Sequence, residues 1–144
     1  MTKETGKGIG ATVFGQLPQE KWDELARAVE DLVAAPGTVI FRQGDPGEKF
    51  YLIRTGSVRV FREDATAETE LSVLKAGDYF GEMALFMNEP RSATIAALEE
   101  THLLVFSKEQ FQSIMKDFPN VTFDFVRHIC ERLLKISEVK RRKK

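Results

Sequence analysis

The chain changes its hydrophobic period several times between residues 19 and 139. Trp22, Leu25, Ala26, Val29, Leu32 and Val33 recur at helical spacing with charged residues between them. This pattern predicts an amphipathic helix over about 19–34, with Pro18 at its first turn and Pro36-Gly37 as its stop. The period then shortens. Six segments, 38–42, 49–54, 58–62, 70–75, 93–98 and 102–106, are short, partly alternating and rich in β-branched and aromatic residues. Turn residues separate them: Gly44-Asp45-Pro46-Gly47, Thr55-Gly56, the 64–68 stretch and Ala76-Gly77-Asp78. They predict strands of an antiparallel sandwich, roll or barrel. One stretch, Phe80–Pro90, breaks the alternation between two strands and predicts a site or a short helix.

Helical spacing returns near the end. Ser107 and Gln110 form a capping-box pair, and Phe111, Ile114, Met115 and Phe118 share one face up to Pro119. A last helix over about 120–139 carries Phe125, Ile129, Leu133 and Ile136 along one stripe, facing either the sheets or a partner helix. The expected class is mainly β with flanking helices (α+β): one N-terminal helix and two C-terminal ones.

A chain of 144 residues with 42% hydrophobic residues has room for one core. The expected organisation is a flexible leader at 1–13, one domain at 14–139 and a basic tail at 140–144. Gly6-Lys7-Gly8-Ile9-Gly10 follows no predicted strand and lacks the Gly-Lys-Ser/Thr of a phosphate loop. Net charge is −1, which does not suggest nucleic acid as a partner. The total hides an asymmetry: residues 135–144 carry six Lys or Arg and one Glu, whereas residues 1–134 carry 15 basic and 21 acidic residues. The tail reads as a solubilising end or as favourable charge at a helix C-terminus. No run of about 18 apolar residues predicts a membrane span, and the N-terminus has no secretory pattern. The single cysteine, Cys130, cannot form an intrachain disulfide and reads as a small core or interface residue. A cytoplasmic location fits.

Candidate chemistry centres on Phe80-Gly81-Glu82-Met83-Ala84-Leu85 and Pro90-Arg91-Ser92-Ala93-Thr94. Arg91 precedes small residues entering a strand, and a buried arginine there requires an anion. Its planar fork matches a phosphate or carboxylate with two parallel hydrogen bonds. Ser92 and Ala93 are small enough for an anion to approach their N–H groups, and Gly81 opens a helical turn whose free N–H groups also favour an anion. An ionised Glu82 accepts hydrogen bonds, so it could hold a sugar hydroxyl while Arg91 holds a phosphate. A simpler reading pairs Glu82 and Arg91 as a structural ion pair.

At these residues the sequence resembles the cyclic nucleotide-binding domain family. The stretch FGEMALFMNEPRSATI follows that family's phosphate-binding cassette almost throughout. Gln43-Gly44-Asp45 with Gly47, Tyr51-Leu52-Ile53 with Gly56-Ser57-Val58, and Gly77-Asp78-Tyr79-Phe80 follow in family order, over about residues 14–139. The cassette is similar to that of protein-kinase-A regulatory subunits. The spacing from Arg91 onward is similar to that of catabolite-activator-type regulators.

The resemblance implies an antiparallel β-roll of jelly-roll type that binds cAMP or cGMP, with no cofactor. It places the cyclic phosphate at Arg91, Ser92 and Ala93, and the ribose at Glu82 and Gly81, with Met83 and Ala84 in the cassette backbone. The base would lie near Val60, Leu71, Val73 and Leu74, and the last helix would close over it at Ile136 and Ser137. Ser92 stands where family members vary, and cAMP is favoured over cGMP. No helix-turn-helix, kinase or channel segment follows, so the effector is expected outside this chain. The rival reading is a non-catalytic dimerisation module, a homodimer through the last helix, whose roll has lost or changed its ligand. His102, in a strand, and His128, in the last helix, have no nucleophile at catalytic spacing, so no enzyme activity and no metal site are expected.

Overall fold

A computed structural model describes residues 19–119 together with 122, 123, 125–127, 129–131 and 134. The elements in chain order are α1 (Gln19–Ala28), β1 (Glu30–Ala34), β2 (Val39–Phe41), β3 (Phe50–Thr55), β4 (Ser57–Glu63), β5 (Glu68–Lys75), β6 (Tyr79–Phe80), α2 (Glu82–Met87), β7 (Thr94–Ala97), β8 (Thr101–Phe106) and α3 (Lys108–Asp117). Among the described residues two four-stranded sheets form, in the orders β1-β8-β3-β6 and β2-β7-β4-β5. Every strand pair is antiparallel. This is the β-roll that the family resemblance implies, one of the architectures the strand pattern leaves open.

Strands β3 and β8 explain why the alternation in the sequence is only partial. Phe50 and Leu52 on β3, with Leu104 and Phe106 on β8, pack against Leu25 of α1, Phe111 and Ile114 of α3, and Phe125. Their neighbours Tyr51, Ile53, Leu103 and Val105 face the other way and meet Val58 and Ile95 of the second sheet. A strand buried on both faces reads as a continuous apolar run. Burying such side chains contributes about 1.5–3 kcal/mol each.

The expected helix over 19–34 is corrected in its second half. It ends at Ala28, and Glu30–Ala34 is strand β1, paired with β8 from Glu30↔Val105 to Ala34↔Thr101. Five residues of ladder with β8 outweigh a weak local preference for helix. The spacing that suggested helix is ambiguous here, because Leu32 and Ala34 also alternate and both turn inward, whereas Val33 is exposed. Pro36-Gly37 therefore does not stop a helix. It makes the β1–β2 turn, where Thr38 N–H donates to the Ala35 carbonyl at 3.0 Å and Gly37 holds φ 86°. That positive φ is the turn position glycine fills without strain.

The C-terminal helices follow the expected pattern as far as they are described. Ser107 caps α3, its hydroxyl accepting from Gln110 N–H at 3.1 Å while Gln110 Oε1 accepts from Ser107 N–H at 2.8 Å. The Gln110 amide also donates to the Ala28 carbonyl at 3.0 Å, tying α3 to the end of α1. Ser107→Ala is expected to cost about 1 kcal/mol of stability. Urea unfolding measures it, and an unchanged midpoint would contradict the role of the cap. Beyond α3 the described positions from 122 to 134 are helical. Phe125 is buried and Ile129 packs against the core, so this face of the stripe turns toward the roll. Leu133, Ile136, Ser137, His128 and the side chain of Trp22 lie outside the described residues, as do 1–13 and 140–144. Cys130 is exposed, which corrects its placement in a core.

Candidate functional site

The interrupted stretch is the short helix α2, set between two strands that belong to different sheets. Its entry needs glycine. Gly81 is the N-cap at φ 89°, and a Cβ there would come within 2.9 Å of the Lys49 carbonyl oxygen. Met83 and Ala84 follow Glu82 in α2. Asn88 closes the helix in the left-handed region, at φ 54°. The chain then runs through Glu89, Pro90, Arg91 and Ser92 into β7.

Arg91 is buried, with 7% exposure, as its small neighbours suggested. Nη1 donates to the Gly81 carbonyl at 3.2 Å and Nη2 to the Lys49 carbonyl at 3.0 Å. The guanidinium carbon stands 4.1 Å from the Phe41 ring centroid, a cation–π distance. Phe41 is itself tilted against Tyr51 and Phe80, and those two rings stack at 4.9 Å. Arg91 Nε is buried and donates to no acceptor among the described residues. Burial pulls the guanidinium below its ordinary pKa, while Tyr51, Glu82 and Asp45 favour its charge. A buried cation with an unused donor is costly, and an oxyanion would offset that cost.

The cavity beside Arg91 has a volume of about 620 Å³, within the range of small-molecule sites. Arg91, Ser92, Ala93, Glu82 and Gly81 line it, as do Val60 from β4 and Val73 and Leu74 from β5. The structure thus brings together the expected anion, hydroxyl and base residues, which come from four separate stretches of chain. Ser92 is exposed and Glu82 is buried, at 3% exposure. Leu71 is the exception. It does not line the cavity and is 48% exposed. The pairing runs Val60↔Ser72 and then Phe61↔Glu70, so Leu71 is the extra residue of a β-bulge. Ser72 lines the cavity in its place. Ile136 and Ser137 lie outside the described residues.

The sequence model of the family described as cyclic nucleotide-binding domain matches residues 32–118. This chain belongs to the cyclic nucleotide-binding domain family. The match begins inside β1 and ends just after α3, so it spans both sheets and the cassette. A cAMP-dependent protein kinase regulatory subunit from Pyricularia oryzae is 36% identical over 103 residues, 72% of this chain and 26% of its own length. The crystal structure of Thermus thermophilus catabolite activator protein aligns with a TM-score of 0.77 at 32% identity, covering 87% of this chain and 59% of that chain. The regulatory domain of Toxoplasma gondii PKA, crystallised with cAMP, aligns with a TM-score of 0.62 at 28% identity, over 76% of this chain and 42% of that one. The chain therefore spans about a quarter of the kinase regulatory subunit and somewhat over half of the activator protein.

Three contributors to this candidate site were not singled out from sequence as site residues. Phe41 stands under the guanidinium, the Lys49 carbonyl accepts from it, and Ser72 faces the cavity from β5. Lys49 acts through its backbone, which no residue type signals. Ser72 could have been found by continuing the inward alternation from Leu74. Among the described residues no cluster of His, Cys, Asp and Glu could hold a metal ion, and no helix is long and apolar enough to cross a membrane.

Proposed function

We propose that this chain is a cyclic nucleotide sensor domain that prefers cAMP to cGMP and catalyses no reaction. The observation that carries this reading is the buried Arg91 fork with its unused Nε–H, set beside a cavity of nucleotide size. In this reading Arg91, Ser92 and Ala93 hold the cyclic phosphate, and Glu82 with Gly81 holds the ribose hydroxyl. Val60, Val73 and Leu74 lie against the base, without Leu71. Ile136 and Ser137 are assigned to the lid. The cAMP crystallised with the Toxoplasma regulatory domain supports the choice of ligand.

The sensor acts on an effector outside this chain, in a cytoplasmic setting. Ligand shifts the helix after α3 only by its differential affinity for the two arrangements of that helix. Amide exchange over residues 120–139 is expected to slow when cAMP is added. Equal protection with and without it would remove the lid from the mechanism. Displacement of one labelled nucleotide by unlabelled cAMP and cGMP ranks the two ligands, and the lower midpoint is expected for cAMP. A lower midpoint for cGMP would reverse the assigned preference.

A second reading, dimerisation through the last helix, is favoured by the exposure of Phe123 and Leu134, at 71% and 63%. Light scattering across a concentration series tests it. A monomeric mass throughout would reject it.

A further inference from the structure

We infer that Gly47 is the positioning residue for Arg91, and that its lack of a side chain keeps the guanidinium in a binding-competent seat. The inference rests on the assignment of Arg91 to the phosphate. The seat is built from the turn after β2. Arg91 N–H donates to the Asp45 carbonyl and Gly44 N–H donates to the Arg91 carbonyl, both at 2.8 Å. The turn is held in its own right. Asp45 Oδ2 accepts from Arg42 N–H at 3.1 Å, Thr94 Oγ1 accepts from Gln43 N–H at 2.9 Å, and Gln43 Oε1 accepts from Glu63 N–H at 2.8 Å. Arg91 is thus fixed at its backbone by a turn more than forty residues away in sequence.

The same turn sets the limit on the Arg91 side chain. A Cβ on Gly47 would overlap Nε, Cζ and Nη2 of Arg91, the atoms that form the fork. The Gly47 backbone does not itself require glycine, because its φ lies outside the left-handed region. The three atoms nearest to such a Cβ all belong to the far end of one flexible side chain, so the fold can relieve the overlap by moving the guanidinium. This separates Gly47 from Gly81 and Gly56, where a Cβ would meet backbone atoms at a strained φ. Gly47 does not line the cavity. It acts on the ligand only through Arg91.

The test is Gly47→Ala, measured alone and in an Arg91→Lys background. Gly47→Ala is expected to stay folded, with a melting temperature within a few degrees of the parent. Its affinity for cAMP is expected to fall by about 10- to 100-fold, the effect of displacing a charge-assisted hydrogen-bonding pair. The Nε–Hε resonance of Arg91 should shift and exchange faster with solvent. In the Arg91→Lys background no Nε–Cζ–Nη2 plane is present, and the same substitution should have little further effect. Wild-type affinity with an unmoved Nε–Hε resonance would overturn the proposal. So would loss of the fold, because the backbone would then carry the overlap. Failure of the parent protein to bind cAMP would contradict the proposed ligand, whereas the resonance would still decide whether Gly47 seats Arg91.

Discussion

Arg91→Ala is expected to lower cAMP affinity by about 30-fold or more and to leave the roll folded. Truncating one partner of a buried, hydrogen-bonded charge pair costs about 2–5 kcal/mol of binding, and 1.4 kcal/mol is tenfold in affinity. Two effects set the stability of the ligand-free variant. It loses the bonds to the Gly81 and Lys49 carbonyls, worth about 0.5–1.5 kcal/mol each in net terms. It also loses a desolvated cation whose Nε–H has no acceptor among the described residues, which relieves a cost. These oppose each other, so the unfolding midpoint should move little. Arg91→Lys keeps a charge without the fork and should fall between the two. Calorimetry and urea unfolding on the same preparations separate the outcomes. Unchanged affinity in Arg91→Ala would place the anion elsewhere.

Phe50→Ala is expected to destabilise the fold by about 3–5 kcal/mol, a large share of the 5–15 kcal/mol typical of a domain. Phe50 has no exposed surface. Its ring meets Phe111 at 4.8 Å, Tyr79 at 5.5 Å, Phe106 at 5.6 Å and Phe125 at 6.1 Å between centroids. Those partners come from β6, β8, α3 and the helix beyond it, so one cavity loosens the first sheet and both C-terminal helices together. Phe50 also sits one residue after Lys49, whose carbonyl holds Arg91, so a partial loss of packing should weaken cAMP binding too. Urea unfolding decides the matter. A change below about 1 kcal/mol would mean that these helices are not anchored through this ring.

The legible parts of the fold were those where one physical requirement governed several residues at once. The paired faces of β3 and β8 left apolar runs at 50–53 and 103–106, and the turns between strands carried Gly and Asp. Ser107 and Gln110 announced the start of α3 because capping needs those side chains at that spacing. Strand β1 was hidden because Leu25, Val29, Leu32 and Val33 satisfy a helical period, while the ladder that overrides it is supplied by β8, some seventy residues later. Leu71 shows the same limit at finer scale. The family resemblance placed it near the base, but it is the extra residue of a bulge opposite Val60 and Phe61 and lies outside the cavity, and a bulge leaves no mark in residue type.

The candidate site divides in the same way. Glu82 and Arg91 were legible because charged residues among small ones at a broken strand pattern demand a partner. What seats Arg91 was not. Phe41, the Lys49 carbonyl and Gly47 act by position, through a ring face, a backbone oxygen and an absent side chain. None of those properties is visible until the turn after β2 is laid beside the cassette.

Isothermal titration of the 144-residue chain with cAMP tests the central claim most directly. The account predicts a saturable heat with one nucleotide bound per chain, and a weaker or absent heat in Arg91→Ala. No heat with either cAMP or cGMP, from protein shown to be folded, would contradict it.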